Sequence, residues 1–192
     1  MIRDGFGHET PYEGETNDWI TPEWIIAAFN EDGDDYYFDL DPCASLTQPW
    51  KCAKEQFTIT NDGLIRAWPK GANVFLNPPY GPHTQKWVQR LAGHGNGIAL
   101  IFARVETQLW QDFIFPTAHG FLFPRKRIQF CRPDGTTPKS SSGAPSALIA
   151  WGNNNRGKLI ELCDSGMIPG AFMDMAFYTH SRRSYTEIML NL

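Results

Sequence analysis

Apolar residues in this chain come in short blocks divided by turn residues, and the blocks switch between a helical and a strand period. Trp24, Ile25, Ala28 and Phe29 share a face behind Thr21-Pro22, which predicts a helix capped by Thr21 with Pro22 at its first position. Tyr36-Tyr37-Phe38-Asp39-Leu40 reads as a strand ending at Asp41-Pro42. Phe57-Thr58-Ile59 reads as a second strand, running into the turn Asn61-Asp62-Gly63. Val74-Phe75-Leu76 is a short, wholly apolar strand. Thr84 to Leu91 reads as helix with Trp87, Val88 and Leu91 apolar, followed by a buried strand over 97–102 and a helix over 107–114 carrying Leu109, Trp110 and Phe113. Gly120 to Phe123, Arg127 to Cys131 and Ser146 to Trp151 read as later strands. The Gly/Ser/Thr/Pro-rich stretch 133–145 is the loop between the last two. Strands alternating with helices imply an α/β domain with a mostly parallel sheet, and the late strands suggest an antiparallel hairpin at its edge. Residues 1–18 read as a loose polar arm and 19–192 as one domain.

A chain of 192 residues with 42% apolar and 14% aromatic content is long and apolar enough for one substantial core. Its net charge of −4 excludes a bulk polycation, so any nucleic-acid contact has to come from a local basic patch. Arg125, Lys126, Arg127 and Arg132, near the 133–145 loop, form the candidate patch, with Arg104 at the end of its strand. The four cysteines contain no C-x-x-C pair, so free thiols in a reducing compartment are expected rather than a zinc site or disulfides. The sequence contains no 18-residue apolar run and no apolar signal region at its N-terminus, and the chain is expected in the cytoplasm.

The segment richest in chemistry is Asn77-Pro78-Pro79-Tyr80, directly after Val74-Phe75-Leu76. Two prolines fix φ and donate no N–H, so the chain there is stiff and can continue neither helix nor sheet. The Asn77 side chain and the prolyl carbonyls become fixed acceptors, which suit an exocyclic amino group, and the Tyr80 ring suits a planar base. In an open α/β sheet ligands sit beyond the C-terminal ends of strands. Asp39 and Asp41-Pro42-Cys43-Ala44-Ser45, Asn61-Asp62, and Asn77 to Tyr80 all fall at such ends. The acidic groups suit the ammonium and ribose hydroxyls of a nucleoside-like cofactor, and no G-x-G-x-x-G or Walker pattern marks a phosphate site.

In this order, Trp19-Ile20-Thr21-Pro22, Phe38-Asp39-Leu40-Asp41-Pro42-Cys43-Ala44-Ser45, Asn61-Asp62-Gly63-Leu64, Asn77-Pro78-Pro79-Tyr80 and the late Arg125-Lys126-Arg127-Ile128-Gln129-Phe130 resemble the small phage-type DNA N-6-adenine methyltransferases. The resemblance runs from about Trp19 to Trp151. It implies a Rossmann-like S-adenosylmethionine-dependent methyltransferase fold, S-adenosylmethionine as cofactor, and adenine N6 in duplex DNA as target, reached by base flipping. By the same resemblance Thr21 and Pro22 close the cofactor's methionine end, and Asp41, Pro42, Cys43, Ala44 and Ser45 form its first motif. Asp62 receives its adenine, and Asp39 is counted with these as a cofactor-binding residue. Asn77, Pro78, Pro79 and Tyr80 are the catalytic segment. Arg104, Arg125, Lys126, Arg127 and Arg132 are the implied DNA contacts, 131–145 a candidate DNA-contact loop, and a monomer the expected state. The family's first motif carries glycines that this chain lacks at Ala44-Ser45.

Each motif also has an ordinary structural reading. Asp62-Gly63 is a common turn pair, Asp39 and Asp41 can hold a turn, and Arg125 to Arg127 can be a solvated stretch. Two other functions fit the same residues: methylation of an RNA base or a glutamine amide, and a catalytically silent nucleic-acid-binding module of methyltransferase fold.

Overall fold

The computed structural model describes residues 19–30, 36–138 and 143–176, so the expectation for 1–18 lies outside the described residues, as does part of the 133–145 loop. Seven strands form one sheet: β1 (Leu40–Asp41), β2 (Glu55–Gln56), β3 (Val74–Leu76), β4 (Gly97–Phe102), β5 (Gly120–Pro124), β6 (Ser146–Trp151) and β7 (Gly170–Asp174). Their spatial order is β2-β1-β3-β4-β6-β5-β7. β2, β1, β3 and β4 run parallel to one another. β6 enters antiparallel beside β4, and β5 and β7 continue antiparallel beyond it. The antiparallel pairing therefore takes up one whole side of the sheet and is not confined to an edge hairpin.

Strand alternation explains why both faces are buried. Phe75, Ile98, Leu100, Leu122 and Leu148 point to one side, where they pack with helix α1 (Glu23–Phe29) and helix α4 (Asn153–Asp164). Val74, Leu76, Ala99, Ile101 and Ile149 point to the other, against α2 (Thr84–His94) and the 109–117 segment. The sheet is thus sandwiched between helical layers, as its apolar, two-faced strands require.

Several elements differ from the pattern reading for local reasons. α1 begins at Glu23 with Pro22 in the cap position, and the Thr21 hydroxyl caps nothing. The second strand pairs at Glu55–Gln56, two residues before Phe57, because the register is set by Leu40 opposite Glu55. The 107–114 helix is a π-helix over Leu109–Ile114 that tightens into α3 (Phe115–Thr117). Pro116 has no N–H to give to the preceding turn, and Phe115 donates five residues back to Trp110. Arg127 to Cys131 is not a strand of the sheet; its one pairing is a bridge between Cys131 and Ile20.

Candidate active site

The chain leaves β1 for β2 on one side and returns to β3 on the other, so the crevice between the ends of β1 and β3 is the topological switch point of the parallel half. The pocket lies there. The pocket and the solvent in its open mouth together span about 390 Å³, and Asp41, Cys43 and Ser45 line it from the β1 end. Asn77, Pro78, Pro79 and Tyr80 line it from the β3 end, while Trp19, Ile20 and Thr21 form the wall ahead of α1.

Three polar groups in the pocket stand out by their lack of partners among the described residues. Asn77 Nδ2 donates to the Trp19 carbonyl at 2.8 Å, yet Asn77 Oδ1 is buried with no partner. Thr21 Oγ1 and Tyr80 Oη are likewise buried and unpartnered. Buried polar atoms are nearly always hydrogen-bonded, so such a cluster marks a place built for something else to bind. Burial pushes the Tyr80 hydroxyl far above its ordinary value.

Asp41 is 4% exposed, and burial pushes its carboxyl up to about 7. The Cys43 amide, which donates to Asp41 Oδ1 at 3.1 Å, opposes that shift, as do the Cys43 thiol and the nearby Gln56 side chain. Gln56 is the smallest of these effects, because its Nε2 lies near Asp41 without a hydrogen bond to any described residue. The Cys43 thiol donates to the Asn77 carbonyl at 3.2 Å and ties the two strand ends together. Burial, with the Asp41 charge second, raises the Cys43 thiol, so it is no nucleophile.

Not every residue singled out from the sequence sits in this pocket. Asp39 precedes β1 and spends its carboxylate at the strand starts, accepting from Asn73 N at 2.8 Å and from Lys54 Nζ at 3.3 Å. Pro42, Ala44 and Pro22 are buried behind the wall. Asp62 is exposed at φ 44°, with Oδ1 accepting from Leu64 N at 3.1 Å, which is the turn role of such a residue. Arg125, Lys126, Arg127 and Arg132 are exposed on the segment carrying buried Ile128, Phe130 and Cys131. Phe130 meets the Tyr80 ring edge-on at 5.9 Å, which brings that basic segment to the pocket. Arg104 is exposed, with its guanidinium 5.7 Å from the centre of the Phe102 ring.

The pocket also uses residues that pattern reading passed over. Gln48 orders the β1–β2 connection: its Oε1 accepts from Ser45 N at 3.2 Å and its Nε2 donates to Trp50 O at 3.0 Å. Trp50 Nε1 in turn donates to the Thr21 carbonyl at 2.9 Å. A side-chain amide thus shapes this connection where a glycine-rich turn would use bare backbone. Nothing in the local sequence marks Gln48; only the fold brings its two ends to those partners.

A family model described as DNA N-6-adenine-methyltransferase (Dam) matches residues 9–164. The chain belongs to this family. No curated protein and no solved structure matches it. The Dam match takes in every element from α1 to α4 and leaves β7 beyond it. Membership in the Dam family supports DNA adenine methylation as the activity and DNA as the substrate. No helix among the described residues is long and apolar enough to cross a membrane.

Proposed function

We propose that the chain methylates N6 of a flipped-out adenine in DNA, with S-adenosylmethionine as the donor. The observation that carries this reading is Asn77 Oδ1, a buried acceptor at the end of β3 with no partner among the described residues. The residues present fit the donor's chemistry. Asp41 offers a carboxylate to an ammonium group, and Thr21 offers an unpartnered hydroxyl within the same pocket. A cation brought beside Asp41 would pull its proton off and recover the cost of ionising a buried carboxyl.

Once bound, S-adenosylmethionine supplies an electrophilic methyl on a positively charged sulfur. The chain's own task is to make the amino nitrogen a nucleophile. Adenine N6 is a poor one because its lone pair is delocalised into the ring. Asn77 Oδ1 and the Pro78 carbonyl, which accepts no hydrogen bond from the described residues, would each accept a hydrogen bond from one N6–H, and the proton that N6 sheds after the methyl arrives would leave to water. Those bonds strengthen as positive charge grows on the nitrogen, so they favour the transition state over the ground state. Tyr80 would stack on the base and offset roughly 1–3 kcal/mol of the cost of flipping it. Arg125, Lys126, Arg127, Arg132 and Arg104 would hold the phosphates on the side where Phe130 meets Tyr80.

Calorimetry with S-adenosylmethionine, paired with a transfer assay, tests the reading. The Asn77→Ala variant should lose transfer while keeping cofactor affinity to within about several-fold. A fully active Asn77→Ala would remove Asn77 from the mechanism. A wild-type chain that gives no heat with the cofactor would favour the silent binding module.

A further inference from the structure

The acceptor of the Asn77 turn is aimed by a backbone strap. Three consecutive residues ahead of α1 are each pinned to a different part of the pocket. The Trp19 carbonyl accepts from Asn77 Nδ2 at 2.8 Å. Ile20 exchanges both backbone hydrogen bonds with Cys131, each at 3.0 Å. The Thr21 carbonyl accepts from Trp50 Nε1 at 2.9 Å. The strap is therefore fixed to the β3 end, to the basic 125–132 segment and to the β1–β2 connection.

This makes the two ends of the Asn77 amide inequivalent. Nδ2 is used by the strap, and Oδ1 is left buried without a partner among the described residues. Turning the amide over would set Oδ1 against the Trp19 carbonyl, two acceptors at hydrogen-bond distance, and would aim donors where an acceptor is needed. We infer that the Trp19 carbonyl is the positioning group that directs Asn77 Oδ1 to the substrate's amino group, so that position 77 works only with a side chain that donates at one end and accepts at the other. This rests on the acceptor role proposed for Asn77 and says what sets it.

Aspartate has the shape of asparagine without its N–H, which makes it the discriminating replacement. In Asn77→Asp an ionised carboxylate faces the Trp19 carbonyl with no hydrogen between them, and the group turns away or takes up a proton. A protonated carboxyl restores the arrangement, with its O–H donating to Trp19 and its C=O facing the pocket. The titratable groups lining the same pocket are Asp41, Cys43, Cys52 and Tyr80. A carboxylate at 77 would couple to Asp41, so the rates are compared at saturating S-adenosylmethionine, where Asp41 is held ionised in both proteins and position 77 is the group that differs.

Single-turnover methyl transfer to DNA, measured for wild type, Asn77→Asp and Asn77→Ala from pH 6 to 9, tests this. Asn77→Asp should fall about 100-fold below wild type at pH 8. Its ratio to wild type should then climb about tenfold per pH unit on acidification while its carboxyl is ionised. A ratio that stays flat with pH, at whatever rate, overturns the inference. If Asn77→Ala also transfers at the wild-type rate, the acceptor role itself is wrong, which is a separate result. NMR of the wild-type chain covers the case in which Asn77→Asp does not fold. The Asn77 side-chain amide signal, assigned by its loss in Asn77→Ala, should show one proton protected from exchange, and two freely exchanging protons would overturn the inference.

Discussion

Tyr80 lies stacked on Phe102, with ring centroids 4.1 Å apart and planes 17° from parallel. One face of the tyrosine is therefore taken by the protein, which leaves the other for the base stacking proposed above. The Arg104 guanidinium sits 5.7 Å from the centre of the same Phe102 ring, so a cation, a backing ring and the stacking ring come in sequence at the pocket's side. Phe102→Ala should leave Tyr80 unsupported and raise KM for DNA by about 3–10-fold, the worth of an aromatic pair, while S-adenosylmethionine affinity stays unchanged. Steady-state kinetics with DNA and cofactor varied separately check this.

Asp41 gives the chain a defined pH response. In the unfolded chain its carboxyl titrates at its ordinary 3.8, whereas the folded state holds the proton up to about 7. Between those values the fold binds more protons than the unfolded chain, so this group favours folding most at the acid end and its contribution is lost as pH rises through 7. The limiting slope is about 1.4 kcal/mol per pH unit. Asp41→Asn should flatten that part of the stability curve, read by urea denaturation from pH 4 to 8. If Asp41 receives the cofactor's ammonium as proposed, only its ionised form binds, so wild-type affinity should weaken below pH 7 by up to about tenfold per unit, and Asp41→Asn should remove that dependence. Calorimetry across the same range reads it.

Gly63 explains what the Asn61-Asp62-Gly63 turn does. A Cβ on Gly63 would stand 1.9 Å from the Pro42 carbonyl oxygen and 3.1 Å from the Trp87 ring, so the turn is pressed directly against the Asp41-Pro42-Cys43 backbone. Arg90 holds the same turn from outside through the Leu64 and Arg66 carbonyls. Gly63→Ala should push the two segments apart, costing about 1–3 kcal/mol of stability and weakening cofactor binding with it. Thermal unfolding and calorimetry on the one variant measure both losses.

The sheet half that carries the site was legible because its signals are local. Val74-Phe75-Leu76 has no polar residue to place, and two prolines must end it, so both strand and turn could be read from seven residues. Gln48 was invisible because its contribution is a pair of hydrogen bonds to Ser45 and Trp50 made only after the connection folds. Asp62 shows the opposite case. An aspartate before glycine suits a ligand or a turn equally well from sequence, and here its carboxylate caps Leu64 N at an exposed position. α4 escaped because Asn153-Asn154-Asn155 looks like a loop, although Leu159 and Leu162 are spaced to share a buried helical face.

The basic segment is tested by its salt dependence. Arg125, Lys126 and Arg127 are exposed beside the buried Ile128 and Phe130 that dock the segment. Replacing all three with Ala should weaken DNA binding at low salt and reduce the log–log salt slope by up to about 0.9 per lost phosphate contact. An unchanged slope in fluorescence-anisotropy titrations would place the DNA elsewhere.

Methyl transfer to adenine N6 is tested most directly by following a labelled methyl group from S-adenosylmethionine into unmethylated duplex DNA and separating the product nucleosides. Label in N6-methyladenine, lost in Asn77→Ala, is the expected result. Label in any other base, or none on DNA while the cofactor still binds, would contradict it.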